Sequence, residues 1–260
     1  MRVPQVLFVL SVLFVLSCLP NSGGIVPAVY PREFMKRLIL AASAGILFSI
    51  APQMSADTPC ASKPPDSLAR QLLRQAPGLK AEVLRMALRA TGCAAEQGLV
   101  KRRDLLTVID YSLPSSQPRL FVFDLDAKKI LFRELVAHGK NSGENHTNFF
   151  SNSPGSLATS LGLFVTADTY VGSNGYSLRL KGLEEGVNDM AWDRAIVMHG
   201  APYVSRAAVR ALGRLGRSWG CPAVRKEVAR KMIDTLRGGS PIFAYYPDQG
   251  WLSQSTFVAK

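Results

Sequence analysis

The chain has 260 residues, 47% apolar and 19% charged, with 21 Gly and 4 Cys. That apolar share excludes a disordered polypeptide, the unpatterned glycine excludes collagen, and four cysteines are too few for a disulfide-framework protein. The 31 basic and 19 acidic residues leave a formal net charge of +12, which suits an anionic partner.

Two apolar runs come first, at 6–19 and 38–50. The second follows Met35-Lys36-Arg37 and is followed by the small residues Ser55 and Ala56. A basic start, a short apolar core and a small-residue exit make an export signal, and neither run reaches the roughly 18 residues of a membrane span. Residues 1–56 therefore read as a leader, with Met35 as the expected true start and the membrane met only through this segment. Val15-Leu16-Ser17-Cys18 loosely resembles a lipoprotein box, but cleavage there would keep the second signal inside the mature chain. Export favours cell-wall carboxylates or lipid head groups as the anionic partner, and no nucleic acid is expected. Of the cysteines beyond the leader, Cys60 and Cys93 would close a loop of about 33 residues, worth roughly 3–4 kcal/mol, and leave Cys221 free. The alternative is three buried free thiols.

Residues 57–66 read as a linker, and Ser67 as a helix cap. Leu68 and Leu72, then Val83, Leu84, Ala87 and Leu88, have helical spacing. Helices over 67–75 and 80–90 are expected, parted by Pro77-Gly78 and stopped at Gly92. They form a small helical cap over 57–104. Strands are expected at 106–111, 119–125 and 129–138, the last two a hairpin about Asp126-Ala127-Lys128. A polar loop spans 139–156. Strands 161–171 and 176–181 flank Gly172-Ser173-Asn174-Gly175, where Asn-Gly marks a hairpin turn. A short buried strand follows at 195–199, ending on His199. Val224, Val228, Met232, Ile233 and Leu236 predict a helix over 223–237, ended by Gly238-Gly239. A strand at 241–246 and a tail at 251–260 complete the chain. The region 105–250 is mostly β with few helices, an α+β class, and no internal repeat is visible.

The informative segment is Gly216-Arg217-Ser218-Trp219-Gly220-Cys221-Pro222. Pro222 suits the first position of a helix, which would set Cys221 at its N-cap. The positive end of the helix would lower the thiol pKa and favour thiolate. Gly220 would admit close approach, and nearby N–H groups could hold an oxyanion. A buried structural cysteine is the alternative. A thiol nucleophile needs a base. His199, leaving a strand at Gly200, is the candidate, against a hydrogen-bonded structural histidine. His138, before Gly139, could orient substrate or the other imidazole, and His146 should be solvent-exposed. Gly216 to Gly220 also matches a serine-hydrolase elbow, but no His follows residue 199, so that reading is rejected. With no Cys-x-x-Cys, no His-Glu-x-x-His and no phosphate loop, no metal or cofactor is expected.

These residues resemble the L,D-transpeptidase catalytic domains, YkuD-type, whose signature leads from a His to Ser/Thr-His-Gly-Cys. Here His199 leads to Ser218-Trp219-Gly220-Cys221, and Ser160-Leu161-Gly162-Leu163-Phe164-Val165-Thr166 resembles the family's Thr-Pro-x-Gly-x-Phe strand. Ala137-His138-Gly139, Phe150-Ser151-Asn152, Gly182-Leu183 and Gly213 to Ser218 resemble the murein L,D-transpeptidase subfamily. The resemblance covers about 105–250. It implies a β-sandwich-like domain and an exported cysteine enzyme in the periplasm or envelope, acting on peptidoglycan stem peptides. Cys221 would be the nucleophile, His199 its base, Ser218 a hydrogen-bonding support and Gly220 part of the oxyanion hole. His138, Tyr203, Arg217, Trp219 and Arg225 would meet substrate, the arginines through stem-peptide carboxylates. Two departures stand out. Trp219 occupies the place of the family's second His, and 18 residues separate His199 from Ser218. An L,D-carboxypeptidase or amidase using water as acceptor, and a non-catalytic wall-binding protein, are the alternatives.

Overall fold

Apolar periodicity places two amphipathic helices ahead of the sheet in the computed structural model, which describes residues 65–258, all within the compact unit Ser55–Lys260. The leader, Met35 and Cys60 lie outside the described residues. Helix α1 is Asp66–Leu73 and α2 is Ala81–Glu96. Ser67 does not cap α1. The helix begins one residue earlier behind Pro65, where the Asp66 carboxylate suits its positive end. Gly92 does not stop α2 either. Cys93 and Ala94 continue the buried stripe of Val83, Leu84, Ala87 and Ala90, and that burial outweighs the ~1 kcal/mol cost of a helical glycine. The helix ends instead ahead of Gly98, whose φ is +74°. Cys93 is buried and disulfide-bonded.

Nine strands follow: β1 Leu105–Asp110, β2 Leu120–Asp124, β3 Lys129–Glu134, β4 Val136–Ala137, β5 Gly162–Gly172, β6 Gly175–Gly182, β7 Val197–Ala201, β8 Ala223–Arg225 and β9 Pro241–Tyr245. Both expected hairpins are present, with Asp124 opposite Lys129 and Gly172 opposite Gly175. The sheet order is β3-β2-β1-β9-β5-β6-β7-β8-β4, and only β1–β9 and β7–β8 run parallel. Strands β1 and β9 are buried at every position, covered on one side by α2, as a doubly covered strand pair must be.

The two edge strands of that order, β3 and β4, are separated in the chain by Leu135 alone. The edges must therefore lie together, so the sheet curls on itself as a sandwich-like shell. Arg225 of β8 crosses this seam to Glu134 of β3 with two hydrogen bonds, 2.8 and 2.7 Å. The buried Arg119 side chain donates to Val136 O, and its backbone N–H to Glu134 O. These contacts tie the two edge strands together at the junction around Leu135.

Several elements differ from the sequence reading. The expected strand 129–138 is two strands, β3 and β4, parted at Leu135. The stretch 223–237 is not one helix: Ala223–Arg225 pairs with β7, and helix α4 is Lys226–Leu236. Val224 shares helical spacing with Val228 but is buried in the sheet opposite Gly200. Helix α3, Arg206–Leu212, was not visible because it buries no residue, though Ser205 caps it. Helix α5, Gln249–Gln254, lies in the expected tail, capped by Asp248 and docked through buried Trp251 on Phe243. Strand β7 also runs two residues past His199.

Glu134→Ala should lower stability by about 2 kcal/mol, since the bidentate partner Arg225 is left without its carboxylate. Urea unfolding at pH 7 reads this. In a cycle with Arg225→Ala, the double variant should cost less than the two single losses together.

Candidate active site

Parallel pairing of β7 with β8 builds the site. It sets His199 opposite Ala223, and the residues just before β8 beside the start of β7. Cys221 occupies this approach, so it is not at a helix N-cap, because α4 begins only at Lys226. Its Sγ accepts from the Val197 N–H at 3.4 Å and faces the Ala195 carbonyl at 3.7 Å. The residue is 8% exposed. Burial pushes the thiol pKa up, against the smaller opposing pulls of the Val197 N–H and the Arg194 guanidinium. The expected thiolate of a helix N-terminus is thus replaced by a neutral, desolvated thiol.

His199 lies two residues along β7 from Val197. Its Nδ1 is 3.2 Å from Gly200 O, which requires Nδ1 to carry the proton and leaves Nε2 as the basic atom. Nε2 has no hydrogen bond among the described residues. Burial lowers the pKa of this imidazole, so it is neutral at pH 7. Ser218 Oγ donates to Cys221 O at 2.7 Å and accepts from the Gly220 N–H at 3.1 Å. The Ser218 backbone is tied to its neighbours as well, its N–H to His138 O and its carbonyl to the Lys140 N–H. Ser218 thus ties Gly220, Cys221, His138 and Lys140 together. The Gly220 N–H is therefore already engaged. Gly220 has φ +121°, and a Cβ there would sit 2.7 Å from Ala158 O, so only glycine fits this turn.

A family model described as the L,D-transpeptidase catalytic domain matches residues 75–245. The chain belongs to this family. The match begins well ahead of residue 105 and takes in α2, which the resemblance read from the sequence left out. Solved structures it is similar to include an L,D-transpeptidase from Mycobacterium smegmatis, at 16% identity and TM-score 0.35, covering 55% of this chain and 59% of that one. An L,D-transpeptidase from Stackebrandtia nassauensis has 12% identity and TM-score 0.35, with 70% and 78% covered. A helical cell shape determining protein from Campylobacter jejuni has 12% identity and TM-score 0.37, with 63% and 57% covered. The chain thus spans about three fifths of the length of the Mycobacterium smegmatis structure. A comparison with curated proteins yields no match.

The other sequence-predicted site residues of this L,D-transpeptidase domain are held in different ways. His138 is fully buried, with Nδ1 2.6 Å from Arg119 Nη2 and Nε2 3.2 Å from Gly143 O. Arginine only donates, so Nδ1 accepts and Nε2–H donates to the carbonyl. Both ring nitrogens are occupied by the chain itself. Burial, then the Arg119 charge, pushes this pKa down to about 4. Arg217 is occupied by Glu144 at 2.7 Å and by the carbonyls of Lys140 and Gly143. Arg214 takes the other Glu144 oxygen at 2.8 Å, and Arg225 takes Glu134. Tyr203 is half-buried with its ring against Gly216, and burial raises its pKa to about 12, with the Cys221 charge adding to the rise. Trp219 is 75% exposed immediately before Gly220, and His146 is exposed as expected.

Sequence reasoning missed Arg194, Tyr111 and Arg119. Arg194 Nη1 donates to Ser151 O and Ser160 Oγ, and Nη2 to Ser156 Oγ and Ala158 O, which pins the loop over 150–160. Its Nη2 would be 3.4 Å from a Cβ at Gly220. Tyr111 lies with its ring 5.0 Å from the Arg119 guanidinium and its hydroxyl on Thr159, whose Oγ1 in turn donates to Gly220 O. These residues carry no local signal, since their partners lie far along the chain. Among the described residues no group of His, Cys, Asp and Glu could hold a metal ion.

Two predictions follow from the desolvated groups. Iodoacetamide labelling of Cys221 should be slow at pH 7 and should rise with pH to a midpoint above that of an ordinary cysteine, as mass spectrometry of the labelled peptide would show. A midpoint below pH 7 would contradict the placement described above. His138, with its pKa pushed from 6.5 to about 4, binds its proton in the unfolded chain first as pH falls. Stability should therefore drop by about 3 kcal/mol between pH 6.5 and 4 through this group. His138→Gln should flatten that part of the urea-unfolding profile.

Proposed function

We propose that this chain is an exported, peptidoglycan-modifying cysteine L,D-transpeptidase that works through a thioester on stem peptides. The observation that carries the reading is the pairing on β7: the Cys221 thiol on the Val197 N–H, and two residues further along, a neutral His199 with Nε2 unoccupied. Family membership supports the reaction class. The leader at 1–56 supports export to the periplasm or envelope, and the excess of basic over acidic residues suits a carboxylate-bearing wall polymer.

In this reading His199 Nε2 takes the thiol proton as Sγ attacks the carbonyl carbon of the third stem residue. Burial penalises both thiolate and imidazolium, so proton transfer accompanies attack instead of preceding it. The N–H groups of Gly220 and Cys221 receive the oxyanion, the former leaving Ser218 Oγ. The C–N bond to the terminal D-Ala breaks, and its amine leaves with the proton from His199. An amine of a second stem then attacks the thioester and passes its proton to His199. Sγ departs, and His199 returns the proton to it. Trp219 and Tyr203 wall the cleft, and Arg119 and His138 buttress it from beneath. Arg217 and Arg225 hold those walls through Glu144 and Glu134. The chemistry requires no cofactor.

Incubation of the mature chain with tetrapeptide-bearing muropeptides, read by liquid chromatography–mass spectrometry, tests this. Cross-linked dimers with free D-Ala are expected, and Cys221→Ala should abolish both, a loss of at least a thousandfold. Tripeptide without dimers would replace the transpeptidase by a hydrolase. No product from either protein would point to a wall-binding role.

A further inference from the structure

The geometry points to Arg179 as the residue that receives a carboxylate of the peptide substrate, in a site built by Tyr170, Arg179 and Trp192. The inference rests on the transpeptidase reading and specifies its recognition site. The Arg179 guanidinium lies 4.6 Å from the Tyr170 ring centroid and 5.0 Å from that of Trp192. Contact with two rings holds the guanidinium in place without engaging its N–H donors. Among the described residues that side chain has no hydrogen bond and no ion pair. Its counterparts Arg214, Arg217 and Arg225 all carry a glutamate. An immobilised fork of donors without an acceptor is arranged for a bidentate anion.

Its placement ties it to the thiol. Arg179 of β6 pairs with Val197 of β7, the residue whose N–H touches Cys221 Sγ. Ser177 pairs with His199, and Tyr170 of β5 pairs with Ser177. Paired residues share a face, and residues two apart do as well. Tyr170, Arg179, Val197 and His199 therefore line one face of the sheet. Helix α4 covers the opposite face, where Ala229 meets Gly200 and Arg230 stacks on Tyr176. Two strand spacings, about 10 Å, separate the Arg179 backbone from that of Cys221. That is the span of two or three extended residues, and the arginine side chain shortens it further. The segment 192–197 connects the two places: Trp192 stacks on Arg179, and Ala195 O and the Val197 N–H flank Sγ. A stem peptide with its scissile carbonyl at Sγ would thus bring a carboxylate one or two residues away to the free edge of Arg179. Its sources are the terminal carboxylate of the stem and a side-chain carboxylate beside the scissile bond.

Calorimetric binding to the full chain carrying Cys221→Ala, where no turnover intervenes, tests the site. The probes are a tetrapeptide stem and its two amides, one at the C-terminus and one at the side chain. One amide should bind about ten- to a hundredfold more weakly than the acid, and which one does so identifies the source. Arg179→Gln should lose the same factor for the acid and leave that amide unchanged, with Arg179→Lys between. In the active chain Arg179→Gln should raise KM by that factor with kcat within about twofold. Equal binding of the acid and both amides would overturn the inference, as would unchanged acid binding in Arg179→Gln. If Arg179→Gln fails to fold, the acid–amide comparison in the Arg179 chain and the Arg179→Lys variant decide. Muropeptide turnover by the native chain with no acid–amide difference sinks the Arg179 site alone. Absence of both turnover and binding sinks the transpeptidase reading with it.

Discussion

The site hangs from a buried guanidinium. Arg119 is fully buried, and its hydrogen bonds go to Val136 O, Leu113 O and His138 Nδ1, with no carboxylate among them. Its face lies on the Tyr111 ring. Burial lowers its pKa to about 10, so it stays charged at neutral pH. A cation in that position is costly unless its donors are satisfied, and four directional contacts supply this. They also hold together the end of β1, the seam strand β4 and the start of the polar loop. From His138 the bracing passes through its carbonyl to Ser218, and from Tyr111 through Thr159 to Gly220. The turn that presents Cys221 is therefore gripped from both sides by consequences of one buried charge.

A desolvated site has a chemical consequence. Burial raises the Cys221 pKa and lowers the His199 pKa, so both resting groups are neutral. An ion pair of thiolate and imidazolium would be stronger as a nucleophile. A neutral pair resists adventitious oxidation and alkylation, which act on thiolate. The loop over 150–160 contributes to this seal. Arg194 holds it with four hydrogen bonds, and its Ala158 carbonyl rests against Gly220. In the proposed reaction, the approach of a substrate that supplies the electrophile would release reactivity in such a site.

Much of the fold was legible because its signals are local. The hairpins at 124–129 and 172–175 follow from turn residues between alternating strands, and α2 from its apolar stripe. The misreadings arose where local and distant preferences conflict. Val224 fits a helical spacing with Val228, yet the edge of β7 claims it for the sheet. That single displacement moved Cys221 off a helix terminus and reversed the direction of its pKa. The juxtaposition of His199 with the segment Ser218 to Cys221 follows from the pairing of β7 with β8, and the roles proposed for these residues come from their types and order. The partners of the arginines were not legible. Arg225 finds Glu134 91 residues back, and Arg217 finds Glu144 73 residues back. Separations of that kind leave no trace in periodicity or spacing.

The distribution of those partners separates two uses of positive charge. Around the thiol, Arg214, Arg217 and Arg225 are neutralised by Glu144 and Glu134 and act as cross-links between loop and sheet. Arg119 and Arg194 are spent on carbonyls, hydroxyls and an imidazole, so their charge stays uncompensated by any hydrogen-bonded carboxylate. Arg194 lies near enough to pull the Cys221 pKa downward, although desolvation wins in the resting state. In the proposed acyl transfer, negative charge would develop first on the carbonyl oxygen and then depart with collapse of the intermediate. Fixed cations that cannot be neutralised by reorganising side chains favour that moment over the resting state, and this is the electrostatic difference catalysis needs. In the proposed reaction, the same residues that keep the resting thiol neutral by excluding water would strengthen every charge interaction once attack begins.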